Sequence, residues 1–338
     1  MNAPPHYRNI SPIAHNGDVK MITRLLCTLA ASYAVLATAA AQTIPDGPLR
    51  MLVPFSAGGS TDILARLMSK EMGDILGKTI VVENKPGAEG FIAARDLKNT
   101  TDGRSIMMVT TSVYAINPAI FSNIPYSSAE DFSTVAMVAS SPNVFLAPGD
   151  SKLASIGDLI SLAKSKQDGV AYATGATMHL LNAKWLESMS STKMVSVPYK
   201  GSAAAYPDLV SGRVDFMVDQ PLSSMSLIKD GKLKVLAVTS QNRWNQLPDV
   251  PTVAEQGYPE FVTTSWWAII APRSTSKELI RQLHDAAHQA LQRPVVKEKI
   301  QQLGADIVDD SLEESQKFTA DELKKWKAIA DEANVKMN

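Results

Sequence analysis

Only one cysteine, Cys27, occurs in the 338 residues. That excludes a disulfide scaffold and a zinc domain built on cysteines. Neither sign of charge is in excess: 33 Lys and Arg stand against 34 Asp and Glu, a net charge of −1. Without a basic surplus, no nucleic-acid partner is expected. Long apolar runs are also missing. The main one, residues 25–37, spans thirteen residues, short of the ~20 that a membrane-crossing helix needs. No G-x-S-x-G nucleophile elbow is present, which speaks against a Ser-His-Asp hydrolase. What remains is 45% apolar and 20% charged, the composition of an ordinary globular chain.

The first segment reads as an address. Residues 1–18 are polar and patternless. Lys20 and Arg24 supply a positive start to the apolar stretch, and Ala39 and Ala41 form an A-x-A site before Gln42. This is the layout of a secretory signal peptide. Residues 1–41 are therefore expected to be removed near Ala41 and the rest exported. A start at Met21 would leave residues 1–20 as an upstream extension. Cys27 follows Arg24-Leu25-Leu26, which does not suit a lipoprotein site. The remainder, free of cysteine, suits an oxidising compartment.

From residue 49 onward, strand-length apolar runs alternate with helical stripes. Strands are expected at 49–55, 79–83 and 105–110, with helices at 62–76 and 91–98. A second series places strands at 143–147, 169–174, 193–198, 214–218 and 233–239. Its helices fall at 156–164, 178–189, 203–212 and 222–231. A last strand at 265–271 precedes helices at 277–291, 295–303 and 312–333. Such alternation predicts an α/β fold with parallel sheets covered on both faces. Hinge candidates lie at 140–144 and 263–267. If the chain crosses at both, residues 46–143 and 264–338 form one discontinuous domain and 144–263 a second. Two hinges around a cleft are the architecture of binding proteins that close on a ligand.

The sharpest motif is 53–62, VPFSAGGSTD: strand, Gly-rich loop, helix start. Gly58 and Gly59 let a ligand approach the backbone. The helix start offers unpaired N–H groups to a carboxylate or phosphate. Ser60, Thr61 and Asp62 can cap it, so a well-capped turn is the other reading. The loop has neither the Gly-Lys-Ser/Thr ending of a nucleotide P-loop nor the G-x-G-x-x-G spacing of a dinucleotide fold, which disfavours ATP and NAD. Thr174-Gly175-Ala176-Thr177 and Tyr199-Lys200-Gly201-Ser202 have the same strand-to-helix form. Ligands of open α/β sheets sit at the carboxyl ends of strands, where the three loops could converge. Lys200 is the one cation in them, a ligand contact or a solvated turn residue. His179 either touches ligand or bonds the loop backbone. Asp219 either meets a ligand amine or hydroxyl or caps the next turn. His284 and His288 share a helix face, but Asp285 stands where a zincin needs Glu. Trp266 and Trp267 read as packing residues.

Several motifs taken together resemble one family. They are PFSAGGSTDILAR (54–66), ENKPGAEG (83–90), INP (116–118), VPYKGSAAAYPDLVSGRVD (197–215), GKLKVLAVTS (231–240) and LPDVPTVAEQGYPEF (247–261). In this order and spacing, the chain resembles the extracytoplasmic solute receptors of tripartite tricarboxylate transporters, the Bug-type receptors. The resemblance implies a periplasmic, two-domain Venus-flytrap binding protein, type II-like, with a hinge and an interdomain cleft. It implies a small carboxylate ligand, aliphatic or aromatic, and membrane permease subunits as partners. It implies a receptor and not an enzyme, without cofactor or metal, and acting as a monomer. Carried onto this chain, the contacts are Phe55, Ser56, Gly58, Gly59, Ser60 and Thr61 from the first domain. The second contributes Gly175, Ala176, Thr177 and His179, with Tyr199, Lys200 and Asp219 nearby. Thr110, Thr111 and Ser112 match the small polar residues that follow the family's fourth strand. The loop at 172–180 is shorter than the family's and has one Gly. Met178 and Tyr114 are expected to add apolar or aromatic surface there, which keeps an aromatic acid among the candidates beside an aliphatic one. A sensor feeding a signalling partner is the alternative role, and an exported hydrolase a more distant one.

Overall fold

The structure, a computed structural model, describes Met1 and residues 44–338. The expected signal peptide over 1–41 and its upstream extension lie outside the described residues. The first elements are β1 (Leu49–Val53), α1 (Ser60–Leu76), β2 (Ile80–Asn84), α2 (Phe91–Lys98) and β3 (Ser105–Thr110). A π-helical turn at Ser112–Ile116 leads into α3 (Asn117–Ile120), α4 (Ser128–Asp131) and β4 (Phe132–Pro142). The middle of the chain forms β5 (Val144–Pro148), α5 (Ile156–Ser165), β6 (Val170–Thr174), α6 (Thr177–Ser190) and β7 (Met194–Pro198). It continues as α7 (Ser202–Val210), β8 (Phe216–Asp219), α8 (Pro221–Lys229) and β9 (Leu233–Val238). The last elements are β10 (Thr264–Pro272), α9 (Lys277–Gln292), α10 (Pro294–Gln302), β11 (Asp306–Ile307) and α11 (Leu312–Glu332).

These elements make two sheets. The first has strand order β11-β4-β10-β3-β1-β2, the second β7-β6-β8-β5-β9. We refer to each sheet with its helices as a lobe. Both sheets are mixed, which corrects the expectation of parallel ones. β1 pairs in parallel with β2 and β3, but β10 runs antiparallel to β3 and β4. β6 is parallel to β7 and β8, but β5 is antiparallel to β8 and β9. The reason is the route of the chain. It leaves the first sheet along β4 and enters the second directly as β5, with only Asn143 between them. The start of β5, Val144, therefore lies beside the ends of β8 and β9 (Asp219 and Val238). The start of β10, Thr264, likewise lies beside the end of β4, Pro142. The carboxyl ends of β3, β8 and their parallel neighbours consequently point toward this crossing.

Buried polar groups hold the crossing. The Asn143 N–H donates to Thr239 Oγ1 at 2.9 Å, and Ser265 Oγ donates to Asn143 Oδ1 at 2.6 Å. Thr239 Oγ1 donates to the Thr263 carbonyl at 2.7 Å, and Thr263 Oγ1 to Asn182 Oδ1 at 2.7 Å. Residues without solvent contact must pair their polar groups internally, and these do so across four chain segments.

The core follows strand alternation. Met51 and Val53 face a cluster with Leu64, Met68, Trp267 and Leu283, under α1 and α9. Leu52 faces the opposite cluster with Leu97, Met107, Trp266 and Trp326. That second cluster continues into the other lobe, through Phe145, Tyr172, Trp185 and Phe216. Trp266 and Trp267, adjacent on β10, thus pack on opposite faces and are fully buried. Helix ends match their local signals. Ser276 accepts the Leu279 N–H, Ser311 and Glu314 form a capping box, and α1 stops at Gly77 in the left-handed region (φ 62°).

Candidate functional site

The Gly-rich loop after β1 is shaped by a carboxylate within its own helix. Asp62, in the first turn of α1, is buried. Its Oδ2 accepts the Gly58 N–H at 2.9 Å, and its Oδ1 accepts Asn84 Nδ2 at 2.9 Å. Arg66, one turn on, forks onto both carboxylate oxygens. Burial alone would push the Asp62 carboxyl up. Arg66, the Gly58 N–H and Asn84 outweigh it and hold Asp62 below the ordinary carboxylate value. Asn84 also donates to the Phe55 carbonyl, and Trp267 Nε1 donates to Thr61 Oγ1 at 3.1 Å. The loop is thereby pinned from below. Ser56, Gly58 and Gly59 remain exposed, and Phe55 and Ser60 partly so. The first helical bond of α1 is Ile63 N–H to Gly59 O. Among the described residues no acceptor meets the N–H groups of Ser60 and Thr61, so they point out as donors.

The second lobe holds its loops through a relay. His179, buried in the first turn of α6, accepts the Gly175 N–H at Nδ1, 3.0 Å away. The proton must then sit on Nε2, which lies 3.2 Å from Asp219 Oδ1. Asp219 ends β8 and has no solvent contact. It also accepts from Ser202 Oγ, the Gln220 N–H and Ser223 Oγ, and from the Tyr206 hydroxyl at 2.5 Å. Burial would raise its carboxyl. His179, Tyr206 and the Gln220 N–H prevail and keep it below the ordinary value. One acid therefore ties together the starts of α6, α7 and α8. The loops also touch directly: a Cβ at Gly175 would lie 2.5 Å from the Gly201 carbonyl carbon and 2.7 Å from the Ser202 nitrogen. Gly175 and Ala176 are partly open to solvent. The N–H groups of Thr177, Met178 and Ser202 meet no acceptor among the described residues.

One side chain joins the lobes at these loops. Asn117 opens α3 and is fully buried. Its Oδ1 accepts Thr177 Oγ1 at 2.9 Å, and its Nδ2 donates to the Glu89 carbonyl at 2.8 Å. Gly90, next to Glu89, packs against Pro54 and Val113, where a Cβ would come within 3.2 Å of Pro54. A chain of contacts thus runs from the Gly-rich loop through Pro54, Gly90, Glu89 and Asn117 to the start of α6.

Other expected residues take different places. The Thr111 hydroxyl accepts the Trp266 N–H at 2.8 Å and is buried. Ser112 begins the π-helical turn and is also buried, while the Thr110 hydroxyl is buried without a partner among the described residues. The Tyr199 hydroxyl donates to Asp208 at 2.9 Å, on α7. Lys200 is exposed. Met178, expected to add pocket surface, is instead fully buried in the core, because it falls on the inward face of α6. Tyr114 packs edge-on against Trp266 and is largely buried. His284 bonds the Val135 carbonyl and His288 bonds Asp309. Among the described residues no cluster of His, Cys, Asp or Glu is arranged to hold a metal, and no helix is long and apolar enough to cross a membrane.

Sequence reasoning passed over Asn84, Asn117, Tyr206 and Glu89 as individual residues. All four stand inside motifs that were quoted whole. The positive backbone angles of Ala88 and Glu89 (φ 45° and 52°) carry no signal in the residue types themselves.

The family described as "Tripartite tricarboxylate transporter family receptor" matches residues 64–335. Protein BugT of Bordetella pertussis is 34% identical over 324 residues, covering 94% of this chain and 99% of that protein. An R. palustris protein solved with adipate superposes with a TM-score of 0.81 at 31% identity, over 86% of this chain and 99% of its own. The periplasmic binding protein BugD gives 0.79 at 32% identity, over 87% and 100%. MatC from Rhodopseudomonas palustris, with bound malate, gives 0.77 at 28% identity, over 84% and 99%.

Proposed function

This chain belongs to the tripartite tricarboxylate transporter family of receptors, and from that premise we propose that it is a periplasmic receptor for a small carboxylate. Proteins of this family bind solutes and are not enzymes. The observation that carries the reading is a pair of helix starts whose N–H groups lack acceptors. Among the described residues, the N–H groups of Ser60 and Thr61 on one lobe, and of Thr177 and Met178 on the other, meet no acceptor, and the Asn117–Thr177 bridge joins the two lobes there. Such groups favour an anion. That relatives have been solved with adipate and malate supports a carboxylate.

In this reading the domains are 46–143 with 264–338, and 144–263, and the cleft lies between them. Phe55, Ser56, Gly58, Gly59, Ser60 and Thr61 form one wall, with Ser112 behind it. Gly175, Ala176 and Thr177 form the other, and Lys200 adds positive charge at the rim. His179, Asp219, Thr111 and Tyr199 act through the groups they hold. Closure adds the second wall to a ligand already on the first, which requires tighter binding in the closed state. The protein, exported after loss of residues 1–41, then delivers its ligand as a monomer to membrane permease subunits.

The test is a thermal-shift and calorimetric screen against citrate, C4–C6 dicarboxylates, amino acids, benzoate-type acids and nicotinate. A ligand at ~100 times its dissociation constant should stabilise the fold by about 2.7 kcal/mol, a shift of about 4–5 °C at this size. Response to one class of carboxylate is the expected result. Folded protein that binds no acid overturns the reading.

A further inference from the structure

Apart from Lys200 at the rim, the walls described above carry no exposed charge, and the turn beside them adds one acid. Glu89 sits in the Gly87–Gly90 turn, on the contact chain between the Gly-rich loop and α6. Its backbone is fixed: the carbonyl is held by Asn117, and φ is +52° beside an Ala88 at +45°. Side chains other than Gly adopt this left-handed region at a cost, and such residues gather at ligand sites. The side chain leaves this fixed point exposed to solvent.

Its carboxylate is unlike the other two acids of the site. Asp62 and Asp219 are saturated by donors. Among the described residues no hydrogen bond or ion pair meets the Glu89 carboxylate. Lys85, on the same turn, is engaged by Glu83 and Asp96. The ring nitrogens of His179, on the other lobe, are both already bonded. The Glu89 side chain is exposed, and partial desolvation in the turn moves its carboxyl above the ordinary value. A dianionic ligand would bring a second negative charge toward it. A ligand with a protonated amine at that end would supply the missing partner.

We infer that Glu89 selects a carboxylate carrying a protonated amine over the dianion of the same length. The inference rests on the receptor reading and narrows its ligand class. It departs from the adipate and malate seen in relatives.

Matched ligands test it. Glutarate is compared with 4-aminobutyrate and adipate with 5-aminovalerate, pairs in which one terminal carboxylate is replaced by an ammonium at equal chain length. Calorimetry on the purified protein should show the amino acid of each pair binding about tenfold more tightly. Glu89→Gln, nearly isosteric and on an exposed side chain, should bring the ratio to about one by strengthening the dianion and weakening the amine. Glu89→Gly, which also relieves the backbone, should give the same ratio with an unchanged or higher melting temperature. Dianions that bind as tightly as the amines, or a ratio that Glu89→Gln leaves unaltered, overturn the inference alone. Absence of binding by every carboxylate overturns the receptor reading together with it.

Discussion

In the first lobe, the carboxylate that shapes the loop sits in the first turn of the helix it serves. Asp62 reaches back four residues to the Gly58 N–H. In the second lobe, the corresponding acid arrives from the end of a neighbouring strand. Asp219 reaches Gly175 through His179 and gathers three helix starts at once. The local arrangement leaves space: a Cβ on Gly58 would meet nothing within 4 Å. The relayed arrangement leaves none, since Gly175 lies against the Gly201 backbone. One wall is thus a self-contained turn, and the other is a junction in which several segments depend on one buried charge.

The largest contrast is expected between the two acids. Asp219→Ala removes the acceptor of five donors and strands His179 in the interior. It should cost about 3–5 kcal/mol in urea unfolding. Asp62→Ala should cost about 1–3 kcal/mol, because Arg66 is half exposed and Gly58 opens to water. Equal losses would break the comparison. Next come the glycines. Gly175→Ala should cost about 3 kcal/mol, since two backbones must part. Gly58→Ala, at φ +86° in open space, should cost about 1 kcal/mol. A Gly175→Ala no worse than Gly58→Ala would mean the two loops are not held in contact.

The smallest effect is on acid stability. Both carboxyls lie below their ordinary value in the folded protein. In the unfolded chain an Asp titrates near ~3.9. Between these values the unfolded state binds more protons, so stability rises with pH there. The contribution is complete above about pH 3.9 and is lost as pH falls through the native value. Asp219→Asn and Asp62→Asn should each flatten the fall in urea stability over that acid range. A wild-type slope in either variant would show that its carboxylate is not held as described.

The helices were the most legible part of the chain. The expected helix at 312–333 matches α11 to within a residue of its observed end. β4 was missed. Its sequence, FSTVAMVASSP, is rich in small residues and ends in Ser-Ser-Pro before Asn143, a loop-like cluster through which the strand nevertheless continues to Pro142. That omission also hid the antiparallel pairing with β10. At the site, the three loops were visible from their glycines and helix-start residues. Asp219 was visible as a strand end, but its choice between ligand and structure was not. That choice depends on Ser202, Tyr206 and His179, which lie on three other segments.

Short-range chemistry is written along the chain. The Gly-rich turn, the Asp62 cap beneath it and the boundaries of the long helices depend on residues within about one helical turn of each other. They can be read without coordinates. The Gly175–Gly201 contact, the His179–Asp219 relay, the Asn117–Thr177 bridge and the placing of Glu89 by Asn117 depend on which strands become neighbours. Strand neighbours are set by how the whole hydrophobic pattern packs into two sheets, and no local window contains that information.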